Sequence, residues 1–323
     1  MTGRSQGGGS YLDPRLIGFR LPESTAPLDE DKYQHLPEEE LDKLFAKHLK
    51  AKQEIAQKGR FLLYKPLPYQ RPWFESTKPY RLIVAGNQTG KTTAGAVIML
   101  SAALGVKPLD FGGSLPPTWG TYRQDGRQYL IVGESFKTVI PKTILPKLKE
   151  FLLPEMLARK PKVNPQTRCE EIFYLATGAE IHIQSYEQDA SSFEGPVWDG
   201  VWCDEPMPQP IFSGVNRGLI AKDGWFLMTG TPIAEPYIED TLVGPSQDEQ
   251  DPLFGMVDVF TVGMEANCRE HSGGYLPHAR IAAAEAAMSP EERGARMRGE
   301  FINKNARVFG YLTEAAHCVG DLW

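Results

Sequence analysis

No run of this chain is long and apolar enough to cross a bilayer. The longest mostly apolar stretch, Ala96 to Val106, is broken by Ser101 and Gly105 and falls well short of the roughly 18–20 residues that a spanning helix needs. An excess of basic charge is lacking too: 35 Lys and Arg stand against 41 Asp and Glu, a net charge of −6. No overall positive field therefore draws the chain to nucleic acid, and any DNA contact has to be local or be supplied from elsewhere. Cysteine is scarce. Cys169, Cys203, Cys268 and Cys318 lie far apart in a 323-residue chain, which points to free thiols in a reducing cytoplasm and away from a disulfide framework. Cys268, His271 and His278 have the composition of a metal centre, but no second close pair accompanies them and zinc is not expected there. Residues 1–10 are rich in Gly and Ser, with no basic region followed by an apolar core, so they read as a mobile tail and not as a secretory signal. Internal repeats are absent.

What remains is the composition of a folded globule, 41% apolar and 24% charged, with room for one large α/β domain or one such domain with a small appendage. Leu41, Leu44, Phe45 and Leu49 at helical spacing predict an amphipathic helix between Leu36 and Arg60. Pro66, Pro68 and Pro72 predict an extended connector from Phe61 to Pro79. Arg81 to Ala85 and Tyr129 to Gly133 are short apolar runs followed by helical patterns, over Gly90 to Leu104 and around Ile140 to Leu152, and this alternation predicts an α/β fold. Glu171 to Leu175 and Glu180 to Ser185 flank Thr177-Gly178 as a β-hairpin. Val201 to Cys203 and Trp225 to Met228 read as further strands. An irregular lid is expected from Pro232 to Pro252, and a helix from Ser289 to Phe301 with Pro290 in its first turn.

Three motifs carry chemistry. Ala85-Gly86-Asn87-Gln88-Thr89-Gly90-Lys91-Thr92 fits the phosphate-cradling pattern G-x-x-x-x-G-K-[ST] except for Ala in first place. It follows a strand and opens a helix, so backbone N–H groups and the helix N-terminus converge on phosphate oxygens. Lys91 is expected on the β- and γ-phosphates and Thr92 on Mg²⁺, with Thr93 beside them. Asp204 and Glu205 end a second strand; Asp204 is expected to hold Mg²⁺ and Glu205 to polarise the attacking water. Thr229 and Thr231, in Thr229-Gly230-Thr231-Pro232, end a third strand where hydroxyl groups sense the γ-phosphate. Upstream, Gln70 lies among Tyr69, Trp73 and Phe74, a composition suited to reading adenine.

In this order, the Gln-containing connector, GNQTGKT, a strand ending in DEP, and TGTP resemble the ATPase half of a tailed-phage large terminase subunit, over about Leu62 to Phe309. Ser192-Phe193-Glu194-Gly195 and Gly299-Glu300-Phe301 are similar to two further elements of that family. The resemblance implies an α/β fold of the ASCE P-loop type, with a mainly parallel sheet, helices on both faces and a small lid. It divides the chain into a tail and helix (1–60), an ATPase core (61–232) and a lid and linker (233–323). It also implies ATP and Mg²⁺, hydrolysis coupled to pumping double-stranded DNA into a procapsid, and a portal protein and small terminase subunit as partners. A homo-oligomeric ring in the host cell cytoplasm and no membrane association complete the implied setting. Family members commonly carry an Arg in or near these motifs, where this chain has Asn87, Gln88 and Glu194. Arg217 is the first candidate for the transition-state arginine, with Arg123 and Arg127 behind it. The RNase H-like nuclease domain that normally follows is not expected within these residues, so the chain is not expected to cut DNA. A superfamily 2 helicase and a non-catalytic nucleotide-binding scaffold share parts of the motif set. The first needs a second RecA-like domain, and the second has no use for both Asp204 and Glu205.

Overall fold

The computed structural model describes residues 59–108, 110–111, 126–231 and 237–300, together with 37, 39–40 and 42–43. The expected tail, most of the helix expected before Arg60, Arg123, Pro232, Phe301 and Cys318 lie outside the described residues. The strands are β1 (Tyr80–Ala85), β2 (Gln128–Gly133), β3 (Lys162–Val163), β4 (Glu170–Tyr174), β5 (Glu180–Ser185), β6 (Gly200–Asp204), β7 (Trp225–Gly230) and β8 (Val257–Val262). They form one sheet in the order β3-β4-β5-β2-β6-β7-β1-β8. From β5 to β8 every neighbouring pair is parallel, and the antiparallel β4 and β3 close one edge. β7 lies between β1, which leads into the phosphate-loop motif, and β6, which ends in Asp204. That inserted strand is the ASCE arrangement.

The central strands are apolar at nearly every position because both faces are covered, the pattern of parallel sheets. Ile83 and Ala85 of β1, Tyr129 and Ile131 of β2, Trp202 of β6 and Trp225 and Leu227 of β7 face one core. Helices α1 (Lys91–Leu104) and α2 (Leu145–Phe151) close that side. The alternate residues Leu82, Val84, Leu130, Val132, Val201, Cys203, Phe226 and Met228 face a second core under α3 (Gln209–Ile220), which contributes Ile211, Phe212, Val215 and Leu219. Gly95 lets α1 lie directly on the sheet: a Cβ there would sit 2.3 Å from the Trp202 indole.

Three expectations need correction. Pro68–Gln70 and Arg71–Glu75 are short helical turns where an extended connector was expected. Pro68 and Pro72 stand in the first turn of each, where a missing N–H costs nothing. Glu239–Val243 and Gly244–Gln247 are helical within the expected irregular lid. The last helix is also shorter than expected. Ser289 caps Pro290–Arg293 by accepting the Glu292 N–H, a wide turn over Gly294–Arg298 follows, and Gly299 ends it at φ +74. β8, which pairs with β1 along its whole length, was not foreseen.

Gly299 is fixed by sterics as well as by its φ. A Cβ there would lie 2.7 Å from the Val84 carbonyl oxygen and 3.0 Å from Ala85 Cα, both backbone atoms that cannot yield. Gly299→Ala is expected to cost about 1–3 kcal/mol, read as a lowered melting temperature. An unchanged melting curve would show that the 294–299 turn does not dock on β1 in solution.

Candidate nucleotide site

The site forms at the C-terminal ends of β1, β6 and β7, where open parallel sheets present their ligands. Gly86 is enclosed: its N–H donates to Val262 O (2.8 Å), and a Cβ would lie 2.7 Å from Arg296 O. Asn87 N–H donates to the same Arg296 carbonyl (2.7 Å). Gln88 takes a positive φ (59°), and its carbonyl accepts Asn267 Nδ2 at 2.6 Å. Thr89 Oγ1 donates to Gly86 O (2.9 Å), closing the turn, and Gly90 enters α1 at φ +77. Thr93 lies half-buried in the first turn of α1. Lys91 Nζ folds back onto the Ala85 and Gly86 carbonyls (2.6 and 2.9 Å) and donates to Thr231 Oγ1 (3.2 Å).

The acidic pair meets this loop. Thr92 Oγ1 donates to the Asp204 carboxylate, 3.1 Å from both oxygens, and Thr229 Oγ1 donates to Asp204 Oδ1 (2.8 Å). Trp202 Nε1 donates to Thr229 Oγ1 (2.8 Å), so the buried indole orients that hydroxyl. Glu205 holds φ +71, rare for a residue with a side chain and typical of functional positions where the surroundings over-determine a strained backbone. Those surroundings are evident. Glu205 N–H donates to Thr229 O (2.7 Å), Tyr186 OH donates to Glu205 O, and Glu205 Oε2 accepts the Thr231 N–H (2.8 Å). Burial lifts the Asp204 carboxyl to about 7, with the neighbouring Glu205 charge adding and the Thr229, Thr92 and Lys91 contacts opposing. Burial likewise raises Glu205 and lowers Lys91 from their ordinary values.

A cavity of about 720 Å³ opens in front of this cluster, bounded by Asn87, Glu134, Tyr186, Glu205, Thr231 and Arg296 among others. Small-molecule sites commonly span about 300–1,000 Å³. The donor set beside it consists of hard oxygens, the Thr92 hydroxyl and a buried carboxylate whose charged form is disfavoured by burial alone. Both properties fit Mg²⁺, which prefers oxygen ligands from one or two carboxylates and leaves positions for phosphate and water.

Two expected site residues are placed differently. Gln70 does not face the cavity. It is 5% exposed, its Nε2 donates to Thr89 O (2.9 Å) and its Oε1 accepts from Leu67 N and Tyr64 OH (3.0 and 3.2 Å). Both ends of the amide are thus engaged in propping the phosphate loop. Tyr69 OH supports the same Thr89 carbonyl (2.9 Å). The Arg217 side chain is 66% exposed on the outer face of α3 and paired with Glu194 (2.7 Å), away from the cavity. Arg127 sits at the opposite end of the sheet, bonded to Asp199 ahead of β6 (3.1 Å).

Among the described residues, the arginine that lines the cavity is Arg296, which the motif reading missed. Its charge acts on the Glu205 carboxyl, and its Nε lies 3.3 Å from Glu292 one turn earlier.

No curated protein sequence matches the chain. In structure it is similar to the large terminase ATPase domain of Thermus phage P74-26 (17% identity, TM-score 0.49, covering 77% of this chain and 98% of that one). It is also similar to the large terminase of a second phage, a thermophilic bacteriophage (9% identity, TM-score 0.52, covering 74% of this chain and 54% of that one). A further structure of that second terminase, in complex with ADP, matches at 12% identity and TM-score 0.47 over 72% of this chain and 52% of that one. The chain thus spans about half the length of the second phage's protein. Across residues 82–314, from β1 past the last described turn, its sequence matches the family model described as terminase large subunit, T4likevirus-type, N-terminal, and the chain belongs to that large terminase family.

Proposed function

We propose that this chain binds and hydrolyses ATP and is the motor half of a large terminase, coupling hydrolysis to movement of double-stranded DNA into a procapsid. The observation that carries the reading is the single network joining Lys91, Thr231 and Glu205 on one side with Thr92, Asp204 and Thr229 on the other. Lys91 leaves the Ala85 and Gly86 carbonyls for the β- and γ-phosphates when nucleotide enters. Thr92 and Asp204 would hold Mg²⁺, which would offset the negative charge of the phosphates. Glu205 orients a water on the γ-phosphorus. As the new P–O bond forms, the bond to the β–γ bridging oxygen breaks, the water proton passes toward Glu205, and ADP and phosphate result. Arg296 stands where positive charge stabilises the transferring phosphoryl group.

Thr231 touches both Lys91 and Glu205, so loss of the γ-phosphate is felt at the end of β7 and passed into the segment that follows. In this reading the chain works in the host cytoplasm as a homo-oligomeric ring on the portal protein, with DNA delivered by a small terminase subunit. Residues 1–60, 61–232 and 233–323 are the corresponding tail, motor core and lid.

Phosphate release from ATP, with and without double-stranded DNA, tests the reading. Mg²⁺-dependent turnover is expected, and nucleotide binding without turnover under any condition would leave the non-catalytic scaffold. Lys91→Ala is expected to weaken nucleotide binding about 10- to 100-fold, the worth of one charge-assisted contact, measured by titration with a fluorescent nucleotide. Unchanged affinity would remove Lys91 from the phosphates.

A further inference from the structure

Away from the nucleotide cavity, four groups with metal-ligating chemistry converge near the C-terminal end of the described chain. Glu265 lies in the turn Met264–Asn267, and Cys268 caps α4 (Arg269–Ser272), which carries His271. His278 is the first residue of α5 (His278–Ala286). One ligand atom from each of Glu265, Cys268, His271 and His278 lies within 4.8 Å of all the others. Cys268 Sγ is 3.9 Å from His278 Nδ1, and His278 Nδ1 is 3.9 Å from Glu265 Oε2. The first is a long sulfur hydrogen bond and the second an ion-pair distance too long for a hydrogen bond; Cys268 Sγ also donates to Glu270 Oε2 (3.6 Å). The His271 and His278 rings lie 4.6 Å apart between centroids, tilted by 59°.

We propose that Glu265, Cys268, His271 and His278 form a structural Zn²⁺ site. Tetrahedral Zn²⁺ with Zn–N of about 2.0–2.1 Å and Zn–S of about 2.3 Å places ligand atoms roughly 3.3–3.7 Å apart, so small side-chain rotations close the observed cluster onto an ion. The mixture of thiolate, imidazole and carboxylate selects Zn²⁺ over the Mg²⁺ of the nucleotide site. Four protein ligands leave no open position, which makes the role structural. The sequence brings Cys268, His271 and His278 to notice, but zinc is not expected from it; the fourth ligand is a carboxylate, Glu265, and His278 arrives only when α5 folds back on α4. The parallel bridge between Cys268 and Leu276 brings it there, and the Glu270 carboxylate pins the turn by accepting the His278 N–H (2.8 Å).

The fold gives such an ion work to do. Beneath the cluster, Met264, Cys268, Ile281 and Met297 form a separate small core, and cores of that size are commonly supplemented by a metal. Asn267, between two of the ligands, donates to Gln88 O and accepts the Tyr275 N–H through Oδ1 (3.0 Å). The ion therefore fastens the segment that braces the phosphate loop.

The full chain, purified without a histidine tag or chelator from zinc-supplemented cells, is expected to contain one zinc by elemental mass spectrometry. Co²⁺ replacing it is expected to show intense visible bands of a tetrahedral ion and a thiolate-to-metal charge-transfer band. The exposed ligand variant His271→Gln should fold and bind at least tenfold more weakly, and stripping zinc from wild type should lower the melting temperature. Cys268→Ser should abolish the charge-transfer band; if it fails to fold, the His271→Gln titration decides. A folded wild-type chain that carries no zinc, takes up no Co²⁺ and melts unchanged with added Zn²⁺ would overturn the proposal. Retention of full affinity by His271→Gln, or bound Co²⁺ with no thiolate band, would do so as well.

Discussion

Glu205→Gln is expected to bind ATP with wild-type affinity and to lose about 10²- to 10⁴-fold in turnover, the usual contribution of a positioned general base. The substitution keeps the side-chain shape, and the amide oxygen can still accept the Thr231 N–H now held by Glu205 Oε2 at 2.8 Å. The positive φ is set by backbone partners, Thr229 O on one side and Tyr186 OH on the other, so it survives the change. What disappears is the capacity to take the proton of the attacking water. Burial holds this carboxyl above its ordinary value, which makes it the better base for that step. Single-turnover hydrolysis with equilibrium nucleotide binding separates the two effects. Wild-type hydrolysis by this variant would move the base elsewhere, with Glu134 on the cavity wall the next group to test.

The three motifs were legible because each packs its chemistry into a few consecutive residues at a strand end, where local spacing and backbone geometry are enough. β1, β2, β6 and β7 were legible as unbroken apolar runs, the mark of strands covered on both faces. The direction in which Gln70 faces was not. A Gln among aromatics suits a base edge and a buried prop equally, and only the three-dimensional path of the connector places the Thr89 carbonyl beside it. Arg217 was within reach. Ile211, Phe212, Val215 and Leu219 mark the buried stripe of α3, and on a 3.6-residue period Arg217 falls on the opposite face. Arg296 was out of reach, because it comes to Asn87 only through the pairing of β8 with β1 and the docking of the following turn. β8 itself hides in a segment of mixed polarity, Val257 to Val262, since it is half-buried at the sheet edge.

Arg296→Ala is expected to lower turnover by about 10³-fold or more, since an arginine at the transferring phosphoryl group is typically worth 10³–10⁵, with much less effect on nucleotide affinity. Truncation removes the side chain beyond Cβ and leaves the main chain. The Arg296 main-chain carbonyl that accepts the Asn87 N–H stays, so the phosphate loop keeps its support and the loss is one of chemistry rather than of folding. Arg296→Lys should recover little, because a point charge on a flexible four-carbon stem does not reproduce the planar fork. The side chain belongs to the same chain as Lys91 and Glu205 and lines the same cavity, so the defect should be constant across protein concentration. Mixing separates this from an arginine donated across a subunit interface. Arg296→Ala chains combined with Lys91→Ala chains should stay inactive if Arg296 acts within its own chain. Turnover restored in the mixture would mean that Arg296 completes a neighbour's site and that the ring, not the single chain, is the unit of hydrolysis.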